Sequence, residues 1–126
     1  MIIKTLYIVR HGQTDLNKQG IVQGRGMDTN LNAEGRLQAD LFYQAYKDVP
    51  FDKIYISELK RTQQSIQHFI DKGIPFEKLP GLDELAWGIY EGMPSTPATK
   101  AAFLKVMRQW TAGELDVKFE KGESPN

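Results

Sequence analysis

The 126 residues fit a single domain, 1–126, long enough to bury roughly two thirds of the surface its unfolded chain exposes. Hydrophobic residues at 40% and charged residues at 25% exclude a disordered or fibrous chain, and 16 basic against 16 acidic side chains leave no broad field for nucleic acid or an anionic membrane. The lack of cysteine excludes a disulfide framework, a thiolate metal site and a cysteine nucleophile, and two histidines are too few for a histidine-rich metal centre.

Met1 to Val9 is apolar but carries Lys4, has no small-residue cleavage site and runs into Arg10 and His11. It is too short and wrongly flanked for a signal peptide or a membrane span, so the expected location is cytoplasmic. Within it Thr5–Val9, apolar and rich in β-branched and aromatic types, predicts a buried strand of a parallel sheet. From Arg10 to Asn30 the chain is rich in Gly, Gln, Asn, Asp and Thr and reads as one long loop, a length that in compact domains goes with function.

Asn32 can cap a helix whose apolar residues Leu37, Leu41, Phe42 and Ala45 fall at helical spacing, with Pro50 beyond its exit. Lys53–Ile56 predicts a second strand, Ser57 a cap, and Leu59–Asp71 a helix ended by Gly73. On that helix His68 shares the more polar face with Arg61, Ser65 and Lys72 and reads as a surface histidine. Phe76–Leu79 predicts a third strand, and Thr96-Pro97 opens a helix with Phe103 and Trp110 on its apolar stripe. The tail Glu114–Asn126 has no structural signal. Strand and helix alternate, which is the α/β pattern.

In an open parallel sheet, ligands bind beyond the C-terminal ends of strands, and Arg10-His11-Gly12 stands at such an end. A neutral imidazole is a nucleophile toward phosphorus, a guanidinium holds phosphoryl oxygens bidentately, and glycine admits close backbone approach. The tripeptide alone equally fits a strand-end histidine bonded to backbone. Likewise Arg61 fits a solvated helical arginine paired with Glu58, and Glu84 a surface carboxylate. Trp87 and Tyr90, flanking the Glu84 loop, fit residues that shape a substrate pocket or, more often for such aromatics, pack the loop down, and are left outside the site.

The run Arg10-His11-Gly12-Gln13-Thr14-Asp15-Leu16-Asn17, then Gln23-Gly24, Asp28, Leu31, Gly35 and Gln38-Ala39, resembles the opening of the histidine phosphatase superfamily, the phosphoglycerate-mutase-like proteins. Ser57 to Thr62 resembles its second arginine motif, Leu82-Asp83-Glu84 with Gly88, Glu91 and Gly92 its catalytic-acid motif, and Gly122-Glu123-Ser124 a later signature. The resemblance implies a three-layer α/β/α sandwich. It implies that His11 accepts the phosphoryl group, that Arg10, Asn17 and Arg61 bind it, that Gln23 and Gly24 contact substrate, and that Glu84 gives the leaving oxygen its proton. It implies no metal and no cofactor.

The family also carries a second histidine on a later strand. Here only His68 follows His11, on a helix, so the sandwich is expected to be incomplete at its C-terminal end. The expected function is phosphomonoester hydrolysis of a small phosphorylated metabolite, with mutase-type phosphotransfer or an inactive phosphate-binding module as the alternatives. No nucleic-acid or membrane partner is expected, and an unpaired sheet edge leaves self-association open.

Overall fold

The computed structural model describes residues 1–126 and runs α1 (Asp15–Gln19), α2 (Ala33–Tyr46), β1 (Ile54–Ile56), α3 (Lys60–Asp71), β2 (Phe76–Lys78) and α4 (Pro97–Thr111). Single turns of 3-10 helix at Pro80–Leu82 and Gly88–Tyr90 lie between β2 and α4. β1 and β2 pair in parallel, Ile54 opposite Phe76 and Ile56 opposite Lys78, and α3 is the crossover that parallel pairing requires. The fold class is α/β, as the alternation predicts. No helix is long and apolar enough to cross a membrane.

The segment read as one loop contains α1. Thr14 Oγ1 accepts from the Asn17 N–H at 3.2 Å while Asn17 Oδ1 accepts from the Thr14 N–H at 3.0 Å, and Gly20 ends the helix at φ 68°. Five residues are too few to show an apolar period, so the reciprocal cap was its only signal in the sequence. Beyond α1, residues 20–25 run antiparallel to 85–95 through Ser95 N–H to Gly20, Val22 N–H to Met93 and Arg25 N–H to Leu85.

Asn32 caps α2 as expected, its Oδ1 accepting from the Gly35 N–H at 2.8 Å. The expected apolar stripe is only partly buried: Leu37 and Leu41 are 49% and 60% exposed, while Gly35 and Ala39 face inward. Small residues win there because α2 packs on α3, where Phe42 meets Phe69 at 5.5 Å between ring centres. On α3 the buried residues are Arg61, Ser65 and Phe69, one face at four-residue spacing. The face that reads as solvated is in part an interior face: Arg61 and Ser65 are buried, while His68, bonded to Asp40 at 2.5 Å, and Lys72 lie in solvent.

Leu59, not Ser57, stands at the start of α3. Ser57 Oγ instead accepts from the Leu59 N–H at 3.1 Å and pairs with Thr62 Oγ1 at 2.9 Å. Gly73, at φ 101°, follows the end of α3 as expected. Thr96 and Thr99 form a capping box at α4, and the tail, though neither helix nor strand, is fastened by Trp110 Nε1 donating to Val117 and by buried Phe119.

Thr5–Val9 departs most from expectation. Met1–Arg10 forms no strand, makes no backbone ladder bonds and is exposed, Leu6 to 80% and Ile8 to 89%. Tyr7 alone is anchored, edge-on to Phe51 at 5.1 Å and to Tyr46 at 6.1 Å. The strand propensity is present in the sequence, but the sheet consists of β1 and β2 alone and this segment pairs with neither.

Candidate active site

Three contacts set the position of His11. A Cβ on Gly12 would lie 2.6 Å from the Gly35 carbonyl oxygen, and one on Gly35 would lie 2.1 Å from that of Gln13, so the two glycines let the His11 loop rest on the first turn of α2. The Gly12 N–H donates to Ser65 Oγ at 2.9 Å, and that hydroxyl donates to the Arg61 carbonyl at 2.7 Å. Ser65 therefore bolts the loop to α3. The helix leaves helical geometry at the next residue, Ile66, consistent with the bending effect of a serine bonded back to its own helix.

The His11 Nδ1 lies 2.7 Å from the Gly12 carbonyl oxygen. A carbonyl only accepts, so the proton of the neutral ring is assigned to Nδ1 and Nε2 keeps its lone pair. Burial holds the His11 pKa below the ordinary 6.5, with the charges of Arg61 and Arg10 adding to the effect and the Gly12 bond and Glu84 opposing it. As pH falls from 6.5 the unfolded chain takes up this proton before the folded one, so stability declines down to the folded-state pKa and is unaffected by His11 above 6.5. We expect His11 to titrate below 6.5 in an NMR pH titration of its ring signals; a midpoint at or above that value would contradict the site as described.

Arg10, His11, Asn17, Gln23, Glu84 and Trp87 line one cleft of about 300 Å³. Asn17 faces it with its amide nitrogen free, because its Oδ1 is engaged by the Thr14 N–H and hydroxyl, each at 3.0 Å. Gln23 is buried and braces the loop, accepting from Thr29 Oγ1 at 2.5 Å and donating to Thr14 Oγ1 at 3.1 Å. Gly24 does not line the cleft. A Cβ there would stand 2.0 Å from Glu91 Oε1 and 2.5 Å from the Leu85 carbonyl oxygen, so its place is in close packing of two loops.

Arg61 also lies behind the cleft wall rather than on it. Its side chain is fully buried, without an ion pair to Glu58 or any other carboxylate. Nη1 donates to the Met27 carbonyl at 2.6 Å, Nη2 donates more weakly to that of Gly24 at 3.4 Å, and Nε has no partner. Burial lowers its pKa more than Glu84, Asp28, Asp83 and Glu91 restore it. A buried guanidinium with an unpartnered Nε and no carboxylate partner is a costly arrangement.

The loop carrying Glu84 is bracketed on both sides. Asp83 Oδ1 accepts from the Glu58 N–H at 2.7 Å, and Arg25 spans from Asp83 Oδ2 at 3.6 Å to Glu123 Oε1 at 2.9 Å. Glu123 Oε2 in turn accepts from the Ala86 N–H at 3.1 Å. Ser65, Trp87 and Glu123 thus belong to the site or its frame. Glu123 carried a signal in the sequence, within Gly122-Glu123-Ser124, and Trp87 a weaker one from its place beside Glu84, where loop packing was the favoured reading; Ser65 looked like a surface serine.

A probable phosphatase of Schizosaccharomyces pombe is 39% identical over 97 residues, covering 75% of this chain and 46% of that protein. A broad-specificity phosphatase of Saccharomyces cerevisiae is 38% identical over 103 residues, 77% of this chain and 44% of its own. The chain therefore spans less than half the length of these relatives. The crystal structure of an alpha-ribazole phosphatase from Shigella flexneri superimposes on 92% of the chain and 57% of its own with a TM-score of 0.69 at 28% identity. Residues 6–126 match the family model of the histidine phosphatase superfamily, branch 1, over the same stretch that builds the His11 cleft. The chain belongs to the histidine phosphatase superfamily.

Proposed function

We propose that this chain carries the phosphoryl-accepting half of a phosphomonoesterase that works through a phosphohistidine at His11. The observation that carries the reading is the His11 ring itself: Nδ1 tied to the Gly12 carbonyl, Nε2 unprotonated, and a pKa held down by burial and two arginines. Such a ring is a nucleophile at neutral pH without a separate base. Nε2 attacks phosphorus, the ester P–O bond breaks, and Glu84 hands its proton to the departing alkoxide. Water then attacks phosphorus, the N–P bond breaks, and Glu84 takes the water's proton. Arg10 and the amide nitrogen of Asn17 bind the phosphoryl oxygens, and the charge of Arg61 acts on them from behind the cleft wall; positioning and charge neutralisation do most of the work in such transfers. The phosphatase names of the relatives support hydrolysis of a small phosphorylated metabolite.

Glu84→Gln tests the proton step. A positioned general acid contributes roughly a hundredfold or more, and only where the leaving group needs the proton. The variant should hydrolyse an alkyl phosphate about a hundredfold more slowly while retaining p-nitrophenyl phosphate turnover within about tenfold. Equal losses on both substrates would remove Glu84 from this role.

A further inference from the structure

A second cavity of about 180 Å³ adjoins the His11 cleft, sharing Val22, Trp87 and Ser95 with it as wall. Its other lining is of a different character: Tyr90, Phe103 and Phe119 supply apolar and aromatic surface, with Lys100 exposed at the rim. Trp87 meets Phe103 at 5.2 Å and Phe119 at 5.7 Å, and Tyr90 meets Phe119 at 5.2 Å, all edge-to-face. The rings thus form a cluster with room left beside it. A space of about 150 Å³ admits one benzene ring, so the volume here suffices for one aromatic ring, open to solvent on the side of Lys100.

We propose that this cavity seats the leaving alcohol of the substrate, and that the alcohol carries an aromatic ring. The inference rests on the phosphomonoesterase reading, because only a phosphoryl group at His11 places the rest of the ester against the wall that the two cavities share. Trp87 stands at the junction, facing the phosphoryl side and the aromatic side at once. A ring entering here gains the edge-to-face packing already used by Trp87, Tyr90 and Phe119. Lys100 at the rim adds positive charge where an anionic substrate enters.

The test compares phenylphosphonate with methylphosphonate, two phosphate-ester mimics whose P–C bond is not hydrolysed, by calorimetry and by the fluorescence of the 126-residue chain, whose Trp87 lies in the wall. Phenylphosphonate should bind about tenfold or more tightly than methylphosphonate, the gain expected from burying one ring. Inorganic phosphate should displace it. Phe103→Ala should cancel most of the preference while leaving methylphosphonate affinity unchanged. Equal affinities of the two phosphonates in the unaltered chain would overturn the inference and leave the phosphate site standing. So would a phenyl preference that phosphate does not displace, or one that survives in folded Phe103→Ala. If neither methylphosphonate nor phosphate binds at all, the phosphomonoesterase reading fails first and takes this inference with it.

Discussion

Arg61→Met should leave the chain about as stable as the unaltered protein, while weakening phosphate binding about tenfold to hundredfold. The two halves of that result have separate causes. Keeping the guanidinium charge fully buried without a carboxylate partner costs several kcal/mol, an effect set against the two carbonyl bonds it makes to Met27 and Gly24. Losing those bonds leaves two carbonyls wanting donors, at about 1–3 kcal/mol each, so relief and loss nearly cancel when methionine keeps the volume filled. Phosphate affinity has no such compensation, because a positive charge acting through the cleft wall disappears, about 1–3 kcal/mol at the intermediate dielectric near a protein surface. Arg61→Ala should differ, since it also leaves a cavity and costs about 2–5 kcal/mol. Urea unfolding and calorimetric phosphate titration of both variants measure the two halves independently. Destabilisation of Arg61→Met as severe as that of Arg61→Ala would make Arg61 a structural residue, and undiminished phosphate affinity would remove it from the anion site.

The fold was legible wherever the signal was local. Asn32, Thr96-Pro97 and Gly73 mark helix ends by hydrogen-bonding and conformational preferences that hold in any context, and the structure has helix ends at each. Signals that need a distant partner were less reliable. Thr5–Val9 has the composition of a strand, yet strand composition describes a surface suited to pairing and not the pairing itself. Leu37 and Leu41 fall at helical spacing, but whether that face or the Gly35–Ala39 face turns inward depends on what packs against it, and α3 selects the small residues.

The site shows the same division. Arg10, His11, Asn17, Gln23 and Glu84 come together from motifs far apart in the chain, because the strip 20–25 lies along 85–95 and brings the Gln23 and Glu84 loops to one cleft. Gly24 and Arg61 belong to the same motifs but are placed behind the wall, which spacing along the chain does not distinguish from lining it. Arg61 was the harder residue to read: a polar side chain on a helix looks solvated until a loop such as 24–27 folds over it and offers carbonyls to its donors. Ser65 gave no sequence signal because its function is to receive the Gly12 N–H from 53 residues away.

Replacing His11 with alanine should abolish phosphoryl transfer while leaving the fold intact, because the ring is half-buried and makes only a local bond to Gly12. The other groups lining the cleft are poor substitutes: Arg10, Asn17 and Gln23 carry no nucleophile, the Ser95 hydroxyl is bonded to no base that could activate it, and a carboxylate at Glu84 would yield an alkali-labile acyl phosphate rather than a phosphoramidate. The rate should therefore fall to background, a far larger loss than removing the proton donor or one phosphate ligand.

The covalent intermediate is the most direct measurement of this account. The chain, and its Glu84→Gln form in which release is slowed, should be mixed with p-nitrophenyl phosphate, quenched in alkali, digested and mapped by mass spectrometry. The predicted result is one phosphoryl group on the peptide containing His11, labile in acid, stable in alkali and missing from His11→Ala. A phosphoryl group found on another residue, or turnover of p-nitrophenyl phosphate that persists in folded His11→Ala, would contradict the assignment of His11 as the nucleophile.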